Sequence, residues 1–139
     1  MPTGQYPVDV DSNTGAFVRG DDVVELQVGV AGAALLAQQA IYRDGAGLLF
    51  PLDGTQINDK KFVGITDQAY AAAALASYAP VGGQLPGAGY TSGDYWTDAA
   101  GVLVASFAAV PAGKATKRVA NATSAVRLVV IDGEIIVKP

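Results

Sequence analysis

The 139-residue chain contains no cysteine and no histidine. Without thiols there is no disulfide framework, no thiolate metal site and no thiol nucleophile. Without imidazole, serine–histidine triads, cysteine–histidine pairs, histidine zinc sites and the usual near-neutral general base are gone as well. Basic residues are scarce, 9 Lys and Arg against 13 Asp and Glu, for a net charge of −4 and a pI near 4.5. Such a field repels a phosphate backbone, so nucleic acid is not an expected partner. Long hydrophobic runs are missing too: residues 28–37 and 69–76 are interrupted and fall well short of the roughly 20 residues that cross a bilayer, so no membrane association is expected. Residues 1–10 carry neither the basic nor the apolar region of a secretory signal, and the chain reads as made without export or exported by a signal of another kind.

Large side chains are also few. Half of the residues are hydrophobic, but only 8% are aromatic, with one Trp and one Met, while 17 are Gly and 25 are Ala. Small side chains pack backbones closely yet bury little area each, at roughly 25 cal/mol per Å². The length suits one domain, and so thin a core benefits from a partner subunit.

Against these absences stands a near-repeat. Ala-Ile-Tyr-Arg-Asp-Gly-Ala-Gly-Leu-Leu (40–49) recurs as Asp-Tyr-Trp-Thr-Asp-Ala-Ala-Gly-Val-Leu (94–103), with Asp44, Ala46, Gly47 and Leu49 matching Asp98, Ala100, Gly101 and Leu103. Each copy is an apolar pair, an Asp-containing turn with a Gly, and another apolar pair, which spells strand, tight turn, strand. The predicted fold is all-β, a small β-barrel or β-sandwich built from two related hairpin units. A repeated turn belongs to a scaffold more readily than to one asymmetric catalytic site.

Residues 1–22 are turn-rich and read as an extended N-terminal arm, in which Tyr6, Val8 and Val10 alternate with Pro7 and Asp9; a frayed terminus is the alternative. The β-rich domain then covers 23–139. Residues 23–30 predict a strand with Val24, Leu26, Val28 and Val30 on the inner side and Glu25 and Gln27 outside. Residues 33–42 read as short helix or strand, with strand favoured at the end; 48–52, 62–66 and 102–110 read as strands. Residues 70–78 fit either helix or strand, and 81–93, with five glycines and Pro86, read as a long loop. The last element is a predicted hairpin in which 126–131 and 134–137 flank an Asp132-Gly133 turn, pairing Val130 with Ile135 and Val129 with Ile136. Both its faces are apolar, so it must lie inside a sheet or an assembly.

Individual motifs point to no cofactor and no metal. Asp9-Val-Asp11-Ser-Asn13-Thr-Gly15 resembles the start of a calcium loop, but Thr14 stands where Gly is needed and Gly20 where the bidentate Glu should be. Gly87-Ala-Gly89 and Gly113-Lys114 lack the remainder of dinucleotide and phosphate loops. No pair of carboxylates is singled out for catalysis, and no enzymatic activity is expected. Lys114, Lys117 and Arg118 form a small basic cluster, either a solvated edge or a match for an acidic partner. Tyr90, Tyr95 and Trp96, beside the glycine-rich loop, are a candidate surface anchor or sugar-stacking platform, with a core role as the alternative.

The order of these features is a variable N-terminal segment, Tyr42 or Trp96 before an Asp-x-Ala-Gly-Leu-type turn in two copies, the strand Phe62-Val63-Gly64-Ile65, and a late Val126-Arg127-Leu128. It resembles the small capsid cement, or head decoration, proteins of tailed bacteriophages over roughly residues 24 to 130. At the repeat offset Arg118 stands where Gly64 stands in the first copy, and the strand after Asp132-Gly133 goes beyond the family pattern. The resemblance implies a non-enzymatic, β-rich homotrimer on the outer capsid surface of the virion, at local three-fold points, stabilising the shell by clamping neighbouring major capsid proteins. On that reading Tyr6, Val8 and Val10 dock the arm on the capsid, and Val129, Ile135 and Val137 pack subunits together. The alternative is a head-fibre or surface binding module that contacts host glycans through Tyr90, Tyr95 and Trp96.

Overall fold

The computed structural model describes residues 26–54, 57 and 60–139. Among these, strands follow in the order β1 (Gln27–Val30), β2 (Ala40–Arg43), β3 (Leu49–Pro51), β4 (Phe62–Thr66), β5 (Leu75–Pro80), β6 (Gln84–Leu85), β7 (Gly93–Thr97), β8 (Leu103–Val104), β9 (Ala115–Ser124), β10 (Arg127–Val130) and β11 (Ile135–Val137). A 3₁₀ turn, Phe107–Ala109, joins β8 to β9, capped by the Ser106 hydroxyl, which accepts from the Ala108 amide. None of the described helices is long and apolar enough to cross a membrane.

The two Asp turns fold alike because their residues demand the same bonds. In the first, the Asp44 carboxylate accepts from the amides of Ala46 (3.0 Å) and Leu48 (2.8 Å); in the second, Asp98 accepts from Ala100 and Val102, both at 2.9 Å. Gly47 and Gly101 both sit at φ 86°, the left-handed region that glycine enters without steric cost.

The likeness extends beyond the hairpins. One antiparallel sheet has the order β1-β5-β4-β2-β3 and the other β6-β10-β9-β7-β8, so that each strand of the first has its counterpart five strands later. Register repeats as well: Ile41 lies opposite Gly64 with a bulge before Tyr42 and Phe62, and Tyr95 opposite Ala120 with a bulge before Trp96 and Arg118. The counterpart of Gly64 is therefore Ala120, and that of Arg118 is Phe62. The fixed-offset alignment failed here because the link from the turn to the next strand is two residues longer in the second unit.

The first sheet curls until its edges meet, where Ala31 bridges Leu49 in parallel and the Gly32 amide donates to the Leu49 carbonyl at 2.8 Å. Leu35, Ile41, Leu49, Ala76 and Tyr78 fill the inside of this half-barrel. A larger core lies between the sheets, with Leu52, Phe62 and Ile65 from one side and Leu85, Val119, Leu128 and Val130 from the other. The architecture is thus an all-β sandwich of two duplicated sheets, one of them curled.

The second Asp turn also locks the sheets together. The Ala40 amide donates to Gly101 O (2.8 Å), the Gly54 amide to Ala99 O (3.0 Å) and the Gln39 side chain to Ala100 O (2.7 Å). Gln39 itself is buried, and its own amide donates to the Thr66 hydroxyl (3.0 Å), which donates on to Leu36 O (2.6 Å). Buried polar groups so connected specify one arrangement of the chain.

Several sequence expectations are corrected. Alternation in β1 is real, Leu26 just before it packs on the core and Gln27 is exposed, as expected, but the two valines are not inward: Gly29 and Ala76 lie on the half-barrel side, while Val28, Val30 and Leu75 are exposed. Only a small residue fits where Leu49 closes the curl. Residues 70–78 form no helix; a turn over 71–74, with Ala73 at φ 72°, leads into β5. The glycine-rich stretch 81–93 includes β6, and 102–110 holds only two strand residues before the 3₁₀ turn.

The C-terminal hairpin does not form. β10 and β11 pair with one edge of β9 in succession, Val130 opposite Ala120 and Ile135 opposite Lys117, so Asp132-Gly133 lies in a two-residue outward bulge in one continuous run and does not reverse the chain. A Cβ on Gly133 would stand 2.5 Å from the Arg118 carbonyl, and its amide donates to that same oxygen at 2.9 Å. The true hairpin partner, β9, is the longest strand and was not anticipated.

Candidate functional site

Trp96 and Arg118 are cross-strand neighbours on β7 and β9, so their side chains leave the sheet on the same face. The bulge that carries Asp132, Gly133 and Glu134 stands beside them, and Ile136, opposite Thr116, follows on β11. Together these six residues line a half-open cleft of about 450 Å³. Its apolar surface is Trp96 and Ile136; its polar rim is Arg118, Asp132 and Glu134. Trp96 is fixed by an edge-to-face contact with Phe107 (5.0 Å between centroids), over which the Lys138 ammonium sits at 5.5 Å. Lys138 also donates to the carbonyls of Ala108 and Val110, which ties the C-terminal run to the 3₁₀ turn.

Charge in the cleft is nearly matched. Lys117, only 12% exposed, holds Asp132 at 2.6 Å, and Arg118 reaches Asp94 at 3.4 Å. Asp94 further accepts from the Asn121 side chain at 2.8 Å. The carboxylate of Glu134 has no partner among the described residues. Of the basic cluster marked in the sequence, Lys117 and Arg118 are thus engaged internally, and Lys114 is exposed.

The three aromatics of the expected anchor are separated. Tyr90 and Tyr95 are buried and pack edge to face at 6.3 Å, Tyr90 donating to Pro86 O (2.8 Å) and the Tyr95 hydroxyl accepting from the Thr91 amide (2.8 Å). They support the core between the sheets, and only Trp96 reaches the surface cleft. Burial pushes the Tyr90 phenol above its ordinary value near 10, and Tyr95 adds to the shift. The folded chain therefore resists ionisation that the unfolded chain undergoes, so this stabilisation is complete below about pH 10 and is lost as pH rises through the folded value. Urea unfolding as a function of pH should show stability declining above about pH 10, with a shallower decline in Tyr90→Phe.

Of the proposed packing residues, Val129 is half-buried in β10, whereas Ile135 and Val137 are exposed on β11. Tyr6, Val8 and Val10, and the calcium-like stretch Asp9 to Gly15, lie outside the described residues. Among the described residues no group of three or more His, Cys, Asp or Glu side chains could hold a metal. Sequence reading missed the outer face formed by Val28, Val30 and Leu75, since the strand was read with those valines inward. It also missed the cleft, whose signal was the C-terminal run that has no counterpart in the first unit. Comparison with known protein families, curated proteins and solved structures yields no match to this chain.

Proposed function

We propose that the chain is a non-enzymatic capsid decoration protein: a homotrimer that binds the outer surface of the mature head of a tailed bacteriophage and clamps neighbouring major capsid proteins. The observation that carries this reading is the outer face of β1 and β5, where Val28, Val30 and Leu75 are 56%, 41% and 64% exposed and adjacent in register. A soluble chain exposes such a cluster at the cost of solubility unless another surface covers it. Residues 1–22, read from the sequence as an arm with Tyr6, Val8 and Val10 for docking, precede this strand in the chain. Ile135 and Val137, on the separate edge strand β11, are left for the contact between subunits. The net charge of −4 suits the outside of a shell filled with DNA. Binding only the expanded lattice lowers the free energy of that lattice by mass action, and no chemistry is required.

The test is co-sedimentation with expanded shells of the cognate major capsid protein. The full chain should saturate the shells and raise their melting temperature; shells left bare and unchanged would refute the reading. A chain lacking residues 1–20 should fail to sediment while keeping a cooperative melt, and undiminished binding would remove the arm from the docking surface.

A further inference from the structure

The cleft at Trp96 lies where the two copies part company. Its counterparts in the first unit are Tyr42, which stacks on Phe50 at 5.7 Å, and Phe62, which is buried. In the second unit these positions are Trp96 and Arg118, and the remaining walls, Asp132 to Glu134 and Ile136, belong to the run beyond the duplicated sheets. Folding alone needed none of these changes, because the first unit makes the same five-stranded sheet without them. In the second unit these residues border a hollow of about 450 Å³, a volume in the range of small-ligand sites.

The lining limits the occupant. An anion meets the carboxylates of Asp132 and Glu134, and a bare ammonium meets the Arg118 guanidinium and the Lys117 that Asp132 already holds. A purely apolar group would strip water from Arg118 and Glu134 without replacing their hydrogen bonds. What remains is an uncharged ring with one apolar face and several hydroxyls. Its face would lie on the Trp96 indole and Ile136, and its hydroxyls would donate to Glu134 and Asp132 and accept from Arg118. We propose that the cleft is a saccharide-binding site, an activity separate from clamping a shell and independent of the apolar face on β1.

Trp96 is the sole tryptophan, so its emission reports the cleft directly. Maltose and chitobiose, with their five-residue homologues, are titrated into the full chain while this emission is followed. At least one of these sugars should give a saturable change with millimolar or tighter affinity. Tighter binding of the pentamer would identify a polysaccharide chain as the ligand, and equal affinity a free disaccharide; either result sustains the site. Glu134→Gln preserves the shape of the cleft and should weaken binding about tenfold, the usual effect of removing the charge from one hydrogen bond. Lys60→Ala, outside the cleft, should leave affinity unchanged. No saturable change with any of the four sugars up to roughly 50 mM would overturn the proposal. So would an affinity indifferent to Glu134→Gln, or a response to trilysine in place of the sugars.

Discussion

Gly101→Ala lowers the unfolding free energy by about 3 to 4 kcal/mol, whereas Gly47→Ala, at the matching position of the other turn, costs only about 1 kcal/mol. Both glycines have φ 86°, so both substitutions carry the left-handed penalty of an L residue. They differ in what surrounds them. A Cβ on Gly47 would meet nothing within 4 Å, but one on Gly101 would stand 2.6 Å from the Leu52 carbonyl oxygen and 3.5 Å from that of Ala40. Neither oxygen can retreat freely: Ala40 accepts from Leu52 and donates to Gly101 itself, and the Leu52 side chain is in the core. The clash therefore opens the seam between the sheets and is felt globally. Urea denaturation of the two variants measures the contrast, and equal losses would mean that the second turn is not the lock between the units.

If the β1–β5 face docks on a shell as proposed, Leu75→Asp should abolish that binding, with an affinity loss of about 100-fold or more, while changing stability by less than about 1 kcal/mol. Leu75 is the most exposed member of the β1–β5 face and lies directly opposite Val30. In the free chain a carboxylate at this position stays in water, and the side chain it replaces buries little. In the bound state the same carboxylate would be covered by apolar surface with no cation to pair it. Val30→Asp should act in the same way, and Val126→Asp, at the exposed turn between β9 and β10, should not. Sedimentation binding and thermal melts, run on the same preparations, separate loss of docking from loss of fold.

Physical causes decide which parts of the structure were legible in the sequence. The Asp turns were readable because each is set by local bonds, a carboxylate on two amides and a glycine at positive φ, that no distant residue alters. The all-β class followed from those turns. The outward facing of Val28 and Val30 was not readable, since they have the alternation of a buried strand, and only the curl that brings Leu49 against Gly29 turns them outward. Asp132-Gly133 suits a two-residue hairpin turn, but β9 is long enough to pair with both flanking segments, and that longer ladder prevails over the local turn. β9 itself was hidden by its composition. Flanked by strands on both edges, it uses Ala, Thr and Asn where an apolar run was sought.

The candidate site was legible only in part, for the same reason. Trp96 stood out as the sole tryptophan, but Tyr95 leaves the surface because β7 alternates, and the Tyr90 side chain turns inward from a mostly exposed glycine-rich loop. Arg118 and Glu134 join Trp96 only through the register of β9 with its two neighbours, information that lies in long-range pairing.

Docking through β1 and β5 is decided by amide hydrogen exchange of the chain, free and mixed with expanded shells. New protection should appear across Gln27–Val30 and Leu75–Pro80 on binding, with Trp96 and residues 132–136 unaffected. Protection confined to the cleft, or no change along β1 and β5, would contradict docking through these strands.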